Sequence, residues 1–220
     1  MTNFTEKPIE ISGNNPVGSV IWLHGLGADG HDFEPVVEML NLPQFRFILP
    51  HAPYQKISMN NGYEMRAWYN LFGLSSQHPQ DESGIQAACT YIQSLIAQEN
   101  QRGMASERIV IAGFSQGGAV ALHLALRQQQ ALAGVLALST YLPLHNKVAA
   151  EMSQTAKQIP IFMAHGSFDE VISLERAKAS LAILQAQNCQ VEWHEYAMAH
   201  SVHTQEINDI RHFLLRVLPN

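Results

Sequence analysis

The chain of 220 residues is long enough for one large domain or two small ones and can bury a substantial core. With 46% hydrophobic and 15% charged residues it lacks the composition of a disordered chain, and 13 Lys plus Arg against 19 Asp plus Glu give a net charge of −6. That charge offers no general attraction to nucleic-acid phosphates or anionic lipid, so nucleic-acid binding is not expected. The two cysteines, Cys89 and Cys189, form no CxxC pair, which argues against a disulfide framework and a thiolate zinc site and for reduced structural thiols.

The amino-terminal stretch 1–8 lacks the continuous apolar segment of a secretory signal, and no later run is long enough to cross a bilayer. A cytoplasmic protein without integral membrane association is expected. Residues 7–11 read as a strand. The apolar runs 20–23, 45–49, 109–112, 135–138 and 161–164 read as strands covered on both faces, because they are apolar throughout instead of alternating. Between them, 83–102, 116–129 and 174–187 have helical character. In the first, Ile85, Ala88, Cys89, Ile92, Leu95 and Ile96 recur at three- and four-residue steps and fall on one helix face. Residues 190–196 suggest another strand and 206–218 a closing helix. The alternation predicts an α/β fold, a mostly parallel central sheet with helices on both faces, as a single domain over 1–220. The stretch 50–70, interrupted by Pro50, Pro53, Asn60, Asn61 and Gly62, reads as a long irregular loop of the kind that often carries function.

Gly113-Phe-Ser-Gln-Gly117 fits G-x-S-x-G, and its setting sharpens the match: a strand reading directly before it and a helix reading directly after. A serine in that turn is pushed out beyond the strand end, and the helix behind it aims its positive end at developing negative charge. A serine hydroxyl needs a base, and the base an orienting carboxylate. In this architecture they follow in the order Ser, acid, His. Asp169, just after the strand 161–164, meets the demand for the acid. Among eleven histidines, His200 follows the strand 190–196 and precedes the last helix, which makes it the chosen base. His203 sits where that helix should already be starting, and His165 stands too close to Asp169 in sequence to be oriented by it in the usual way. A metal site built from His194, His200 and His203 lacks H-E-x-x-H and a carboxylate or Cys at a diagnostic spacing, so no metal and no cofactor are expected. The oxyanion of a tetrahedral intermediate would take the backbone N–H of Gln116 and a second donor from the loop His24-Gly-Leu-Gly-Ala-Asp-Gly30, which has neither G-K-[ST] nor G-x-G-x-x-G for a nucleotide.

These residues resemble the carboxylesterase and acyl-protein thioesterase family, also described as phospholipase/carboxylesterases, of the α/β-hydrolase fold. The resemblance rests on Leu23-His-Gly-Leu-Gly-Ala-Asp-Gly30, Gly62-Tyr-Glu-Met-Arg-Ala-Trp-Tyr69, Asp81-Glu-Ser-Gly-Ile85, Gly113-Phe-Ser-Gln-Gly-Gly118 and Ala199-His-Ser-Val202, in family order over nearly the whole chain. It implies Ser115 as nucleophile, Asp169 as acid and His200 as base, with the oxyanion held by the backbones of Leu26 and Gln116. It also implies an acyl chain lying against Trp68, Leu71, Phe72, Leu74, Tyr141 and Val171. Three positions depart from the family pattern: Asn70 stands for Asp, Ala199 for Gly and Ser173 for Pro. The expected activity is cleavage of carboxylic esters or thioesters of small to medium acyl chains through an acyl-enzyme. Lysophospholipids and acylated proteins are alternative substrates, and a noncatalytic ligand-binding homologue or a metallohydrolase are the rival readings.

Overall fold

The computed structural model describes residues 4–75 and 77–219. In chain order the elements are β1 (Ile9–Ser12), β2 (Gly18–Leu23), α1 (Glu34–Leu40), β3 (Phe45–Leu49), β4 (Tyr54–Ile57), β5 (Tyr63–Arg66), α2 (Glu82–Gln101) and β6 (Ile109–Phe114). There follow α3 (Gln116–Arg127), β7 (Gly134–Leu138), α4 (Val148–Glu151), β8 (Ile161–Gly166), α5 (Leu174–Ala186), β9 (Val191–Tyr196) and α6 (Thr204–Val217). The main sheet has seven strands in the order β1-β3-β2-β6-β7-β8-β9. β1 pairs antiparallel with β3 at the edge, and the other five pairings are parallel.

The central strands are apolar at every position because each face of the sheet has its own core. Along β6, Ile109 and Ile111 pack into the core with α2, α3 and α5, while Val110 and Ala112 pack into the core with α1 and α6. β7 divides in the same way, with Val135 and Ala137 on one side and Leu136 and Leu138 on the other. Burial at period 2 on both faces erases the alternation that a half-exposed strand would show. α3, enclosed between sheet and neighbouring helices, is buried at every position from Gln116 to Leu126. α2 buries the face set by Ile85, Ala88, Cys89, Ile92, Leu95 and Ile96, and the Asp81 carboxylate caps its start by accepting the Gly84 N–H at 2.9 Å.

The stretch read as irregular contains the antiparallel hairpin β4–β5, so that expectation is corrected. Its turn passes through Asn61 and Gly62, both at positive φ (53° and 78°), and closes with Gly62 N–H to the Ile57 carbonyl at 2.9 Å. An Asn-Gly pair between two short strands is a recognisable hairpin signal. The last helix starts two residues earlier than read, at Thr204, with His203 as its N-cap.

Buried charge also braces the sheet. Glu99 of α2 is fully buried yet bonds Ser19 of β2, Arg46 of β3 at 2.8 and 2.9 Å, and Arg102 at 3.0 Å. Each carboxylate oxygen is satisfied, as a buried charge requires. Cys89 and Cys189 are both buried and form no disulfide with each other.

Candidate active site

β6 ends at Phe114, and the chain turns into α3 within one residue. That residue, Ser115, has φ 53° and ψ −118°, a conformation costly for any side chain-bearing residue and held here by its surroundings. Its N–H bonds the Leu138 carbonyl at 2.9 Å, and its carbonyl accepts the Thr140 hydroxyl at 2.6 Å. The flanking glycines are steric necessities. A Cβ at Gly113 would lie 2.3 Å from the Gly117 backbone, and one at Gly117 would lie 2.4 Å from the Leu23 carbonyl oxygen. Only hydrogen fits, because α3 must start directly against β2 and β6.

Asp169 and His200 arrive from the loops after β8 and β9. The His200 Nδ1 lies 2.7 Å from Asp169 Oδ2. The other carboxylate oxygen accepts the backbone N–H groups of Val171 and Ile172, each at 2.9 Å. This carboxylate is buried and fully supplied with hydrogen-bond donors. With its Nδ1 facing the carboxylate as a donor, His200 is left with Nε2 free to take a proton. Phe114 packs on the imidazole with ring centroids 4.8 Å apart.

Ser115, His200, Gly25, Leu26 and Gln116 all line one cavity of about 260 Å³. The serine hydroxyl and the imidazole share its wall without a direct hydrogen bond among the described residues. Catalytic contacts in unliganded sites are often long and tighten on substrate binding. The predicted acyl-contact residues divide. Leu71, Leu74, Tyr141 and Val171 line the cavity. Trp68 does not: it is fully buried, and its indole N–H bonds the His24 carbonyl at 2.8 Å. Phe72 also stands outside that wall, 42% exposed beside a separate surface groove. An apolar side chain in the right segment can face the core or solvent as readily as the cavity.

Two further histidines shape the site. His24 is fully buried; its Nε2 accepts the Ala52 N–H at 3.0 Å, so Nδ1 carries the proton and bonds the Gly25 carbonyl at 2.7 Å. Burial pushes this imidazole down to about 4, so it is neutral across the working range. His165, set aside as a base, nonetheless joins the Asp169 network. Its Nε2 donates to the Ile172 carbonyl at 2.8 Å and stands 3.4 Å from Asp169 Oδ2. Burial lowers its pKa as well. The sequence marks His24 as the head of the glycine loop and His165 as a neighbour of Asp169, but their supporting roles depend on which backbone groups the fold brings to each ring.

Gln116 holds the opposite wall. Its side-chain carbonyl accepts the Trp68 N–H at 2.8 Å and its amide donates to the Tyr69 carbonyl at 2.7 Å. The segment after β5 is thereby fixed to the start of α3. The departures from the family pattern also have local partners. Asn70 pairs twice with Ser58, at 2.9 and 2.8 Å, and Ser173 caps α5 by accepting the Arg176 N–H at 3.3 Å. The histidines weighed as metal ligands are spread among separate duties: His200 on Asp169, His194 on Glu192 at 2.8 Å, and His203 on the Gln205 N–H at 3.2 Å.

Comparison with known proteins places the whole chain. Acyl-protein thioesterase 1 of Mycosarcoma maydis is 36% identical over 94% of this chain and 94% of its own length. Acyl-protein thioesterase 1 of Cryptococcus neoformans var. neoformans is 37% identical over 91% of this chain and 92% of its own. Among solved structures, acyl-protein thioesterase 2 of Zea mays superposes with a TM-score of 0.88 at 25% identity, covering 96% of this chain and 99% of that one. SOBER1 of Arabidopsis thaliana gives 0.87 at 30% identity, covering 91% and 99%. The fold is that of the α/β-hydrolases. Residues 5–218 match the Phospholipase/Carboxylesterase family, and the chain belongs to it.

Proposed function

We propose that the protein is a cofactor-independent serine hydrolase that cleaves carboxylic esters or thioesters of small to medium acyl chains. Ser115 is the nucleophile, His200 the general base and acid, and Asp169 the group that orients and stabilises His200. The observation that carries this reading is the 2.7 Å contact of His200 Nδ1 with Asp169, made at the wall of the same cavity that holds the strained Ser115.

Ser115 Oγ attacks the acyl carbonyl as its proton passes to His200 Nε2. The carbonyl oxygen becomes an oxyanion, received by the backbone N–H groups of Leu26 and Gln116 at the positive end of α3. As the tetrahedral adduct collapses, the bond to the leaving alcohol or thiol breaks and the imidazolium protonates that group. Water then attacks the acyl-enzyme, giving its proton to His200, and the second collapse returns the proton to Ser115 and frees the acid. The apolar wall of Leu71, Leu74, Tyr141 and Val171 takes the acyl chain. Lysophospholipids and acylated proteins are further substrates of this kind, the latter favoured by the names of the fungal relatives. We place the whole chain in one hydrolase domain and in the cytoplasm, where unbonded thiols such as Cys89 and Cys189 persist.

Ser115→Ala tests the reading. It should lower kcat on p-nitrophenyl butyrate by at least about 10³ and abolish labelling by a fluorophosphonate probe. Wild-type turnover in that variant would overturn the assignment.

A further inference from the structure

Tyr141 is a wall shared by two cavities. On one side lies the 260 Å³ cavity of the active site. On the other lies a cavity of about 190 Å³ bounded by Leu142, Ile183, Ala179 and Ser180, with Arg176 at its edge. Tyr141 itself separates them, and Arg176, which lines the second cavity and not the first, braces it. Its guanidinium carbon lies 3.5 Å from the centre of the Tyr141 ring, and one of its nitrogens donates to the Leu74 carbonyl. Leu74 itself lines the active-site cavity.

The side chain is placed from both ends. Ser173 caps the start of α5 and fixes the Arg176 backbone, while the Tyr141 hydroxyl is 2.8 Å from that of Tyr69, which holds the ring in its plane. The segment carrying Leu74 runs outside the named helices and strands, so its bond to Arg176 ties down a loop. Methylene groups extending past Tyr141 would have to displace a cation from an aromatic face and leave the Leu74 carbonyl without its donor. Both losses oppose an apolar chain.

We infer that Arg176 sets acyl chain length as a positioning residue: laid over Tyr141 and tied to Leu74, it holds these two residues as the end wall of the acyl cavity and keeps the chamber beside Ile183 unavailable to long chains. The inference rests on the hydrolase reading above and goes beyond it by assigning the residue that sets acyl preference.

The experiment compares kcat/KM for p-nitrophenyl butyrate and p-nitrophenyl laurate in the wild type, Arg176→Ala and Arg176→Met. The Ala variant removes the brace and frees Tyr141 and the Leu74 segment to yield to a long chain, and the Met variant removes the charge while keeping bulk that can swing aside. The laurate-to-butyrate ratio should rise at least about tenfold in Ala and in the same direction in Met, a change within the reach of a few apolar contacts. The Met variant carries the test if the Ala variant does not fold. If the wild type hydrolyses butyrate but both folded variants keep the ratio within about twofold, the positioning role is overturned and the hydrolase reading stands. If the wild type hydrolyses neither ester, the hydrolase reading falls and the positioning role with it.

Discussion

The His24 imidazole accepts the Ala52 N–H at 3.0 Å, linking the loop after β2 to the loop after β3. Through its other nitrogen the same ring holds the Gly25 carbonyl, one residue before the backbone assigned to the oxyanion. His24→Ala would leave the buried Ala52 N–H without a partner and open a cavity beside it, for an expected loss of about 2–4 kcal/mol of stability. Displacement of the Leu26 backbone should lower kcat about 10- to 100-fold with little change in KM. Steady-state kinetics and urea denaturation measure the two effects, and an equal fall in 1/KM would show that His24 acts on binding instead. The acid side follows from burial. The pKa of folded His24 lies near 4, below its ordinary value of 6.5, so its contribution is complete above about pH 6.5 and is lost as pH falls towards 4.

Asp169 offers a different test, because its two oxygens do different work. Asp169→Asn keeps an oxygen for the Val171 and Ile172 N–H groups but can turn an NH2 towards the His200 Nδ1 and the His165 Nε2. Donor would face donor, and the imidazole would be driven to the tautomer that cannot accept the serine proton. A fall in kcat of about 10³- to 10⁴-fold is expected, with the fold retained by circular dichroism. A variant within tenfold of the wild type would remove Asp169 from its assigned role.

Glu206 predicts a pH dependence of opposite sign to that of His24. It lies fully buried at the start of α6, where Oε2 accepts the His203 N–H at 3.2 Å and Oε1 has no partner among the described residues. Burial, reinforced by the nearby Asp209 charge, raises its pKa from 4.5 to about 7. The folded state therefore holds a proton that the unfolded state releases, and stability is lost as pH rises from about 4.5 to about 7. Glu206→Gln should remove that loss, gaining on the order of 3 kcal/mol over the wild type at pH 8 relative to pH 5. The measured quantity is the difference in unfolding free energy between the two proteins. Because buried His24 and His123, each pushed down to about 4, act on both proteins alike, they cancel from it. A difference independent of pH would count against a buried ionising Glu206.

Much of the architecture was legible because it is locally encoded. Val20 to Leu23, or Ile109 to Ala112, is apolar at consecutive positions, and sandwiching between two cores is the arrangement that requires this. The hairpin β4–β5 carries no strand pattern because its strands, Tyr54 to Ile57 and Tyr63 to Arg66, are short and mostly half-exposed or exposed, so neither shows a buried face. Only Asn61-Gly62 signalled the turn. Trp68 supports the cavity from the core instead of lining it: a large apolar side chain in a cavity-forming segment has no sequence mark that separates the two, and its indole N–H bonds the His24 carbonyl.

The sequence alone determined the strand-to-helix turn at Ser115, since the glycines at 113 and 117 answer a crowding that arises between neighbouring residues and one adjacent strand. It also ordered the serine, the acid and the histidine along the chain. Only the tertiary structure decided which histidines serve as supports, which carbonyl His24 and His165 reach, and that Arg176 lies across Tyr141. The Ala52 N–H on His24 and the Leu74 carbonyl on Arg176 join segments far apart in sequence, as does the Tyr141 ring beneath Arg176. The partners are mostly backbone groups, which every residue carries, so their positions come from the packing of the sheet and its helices.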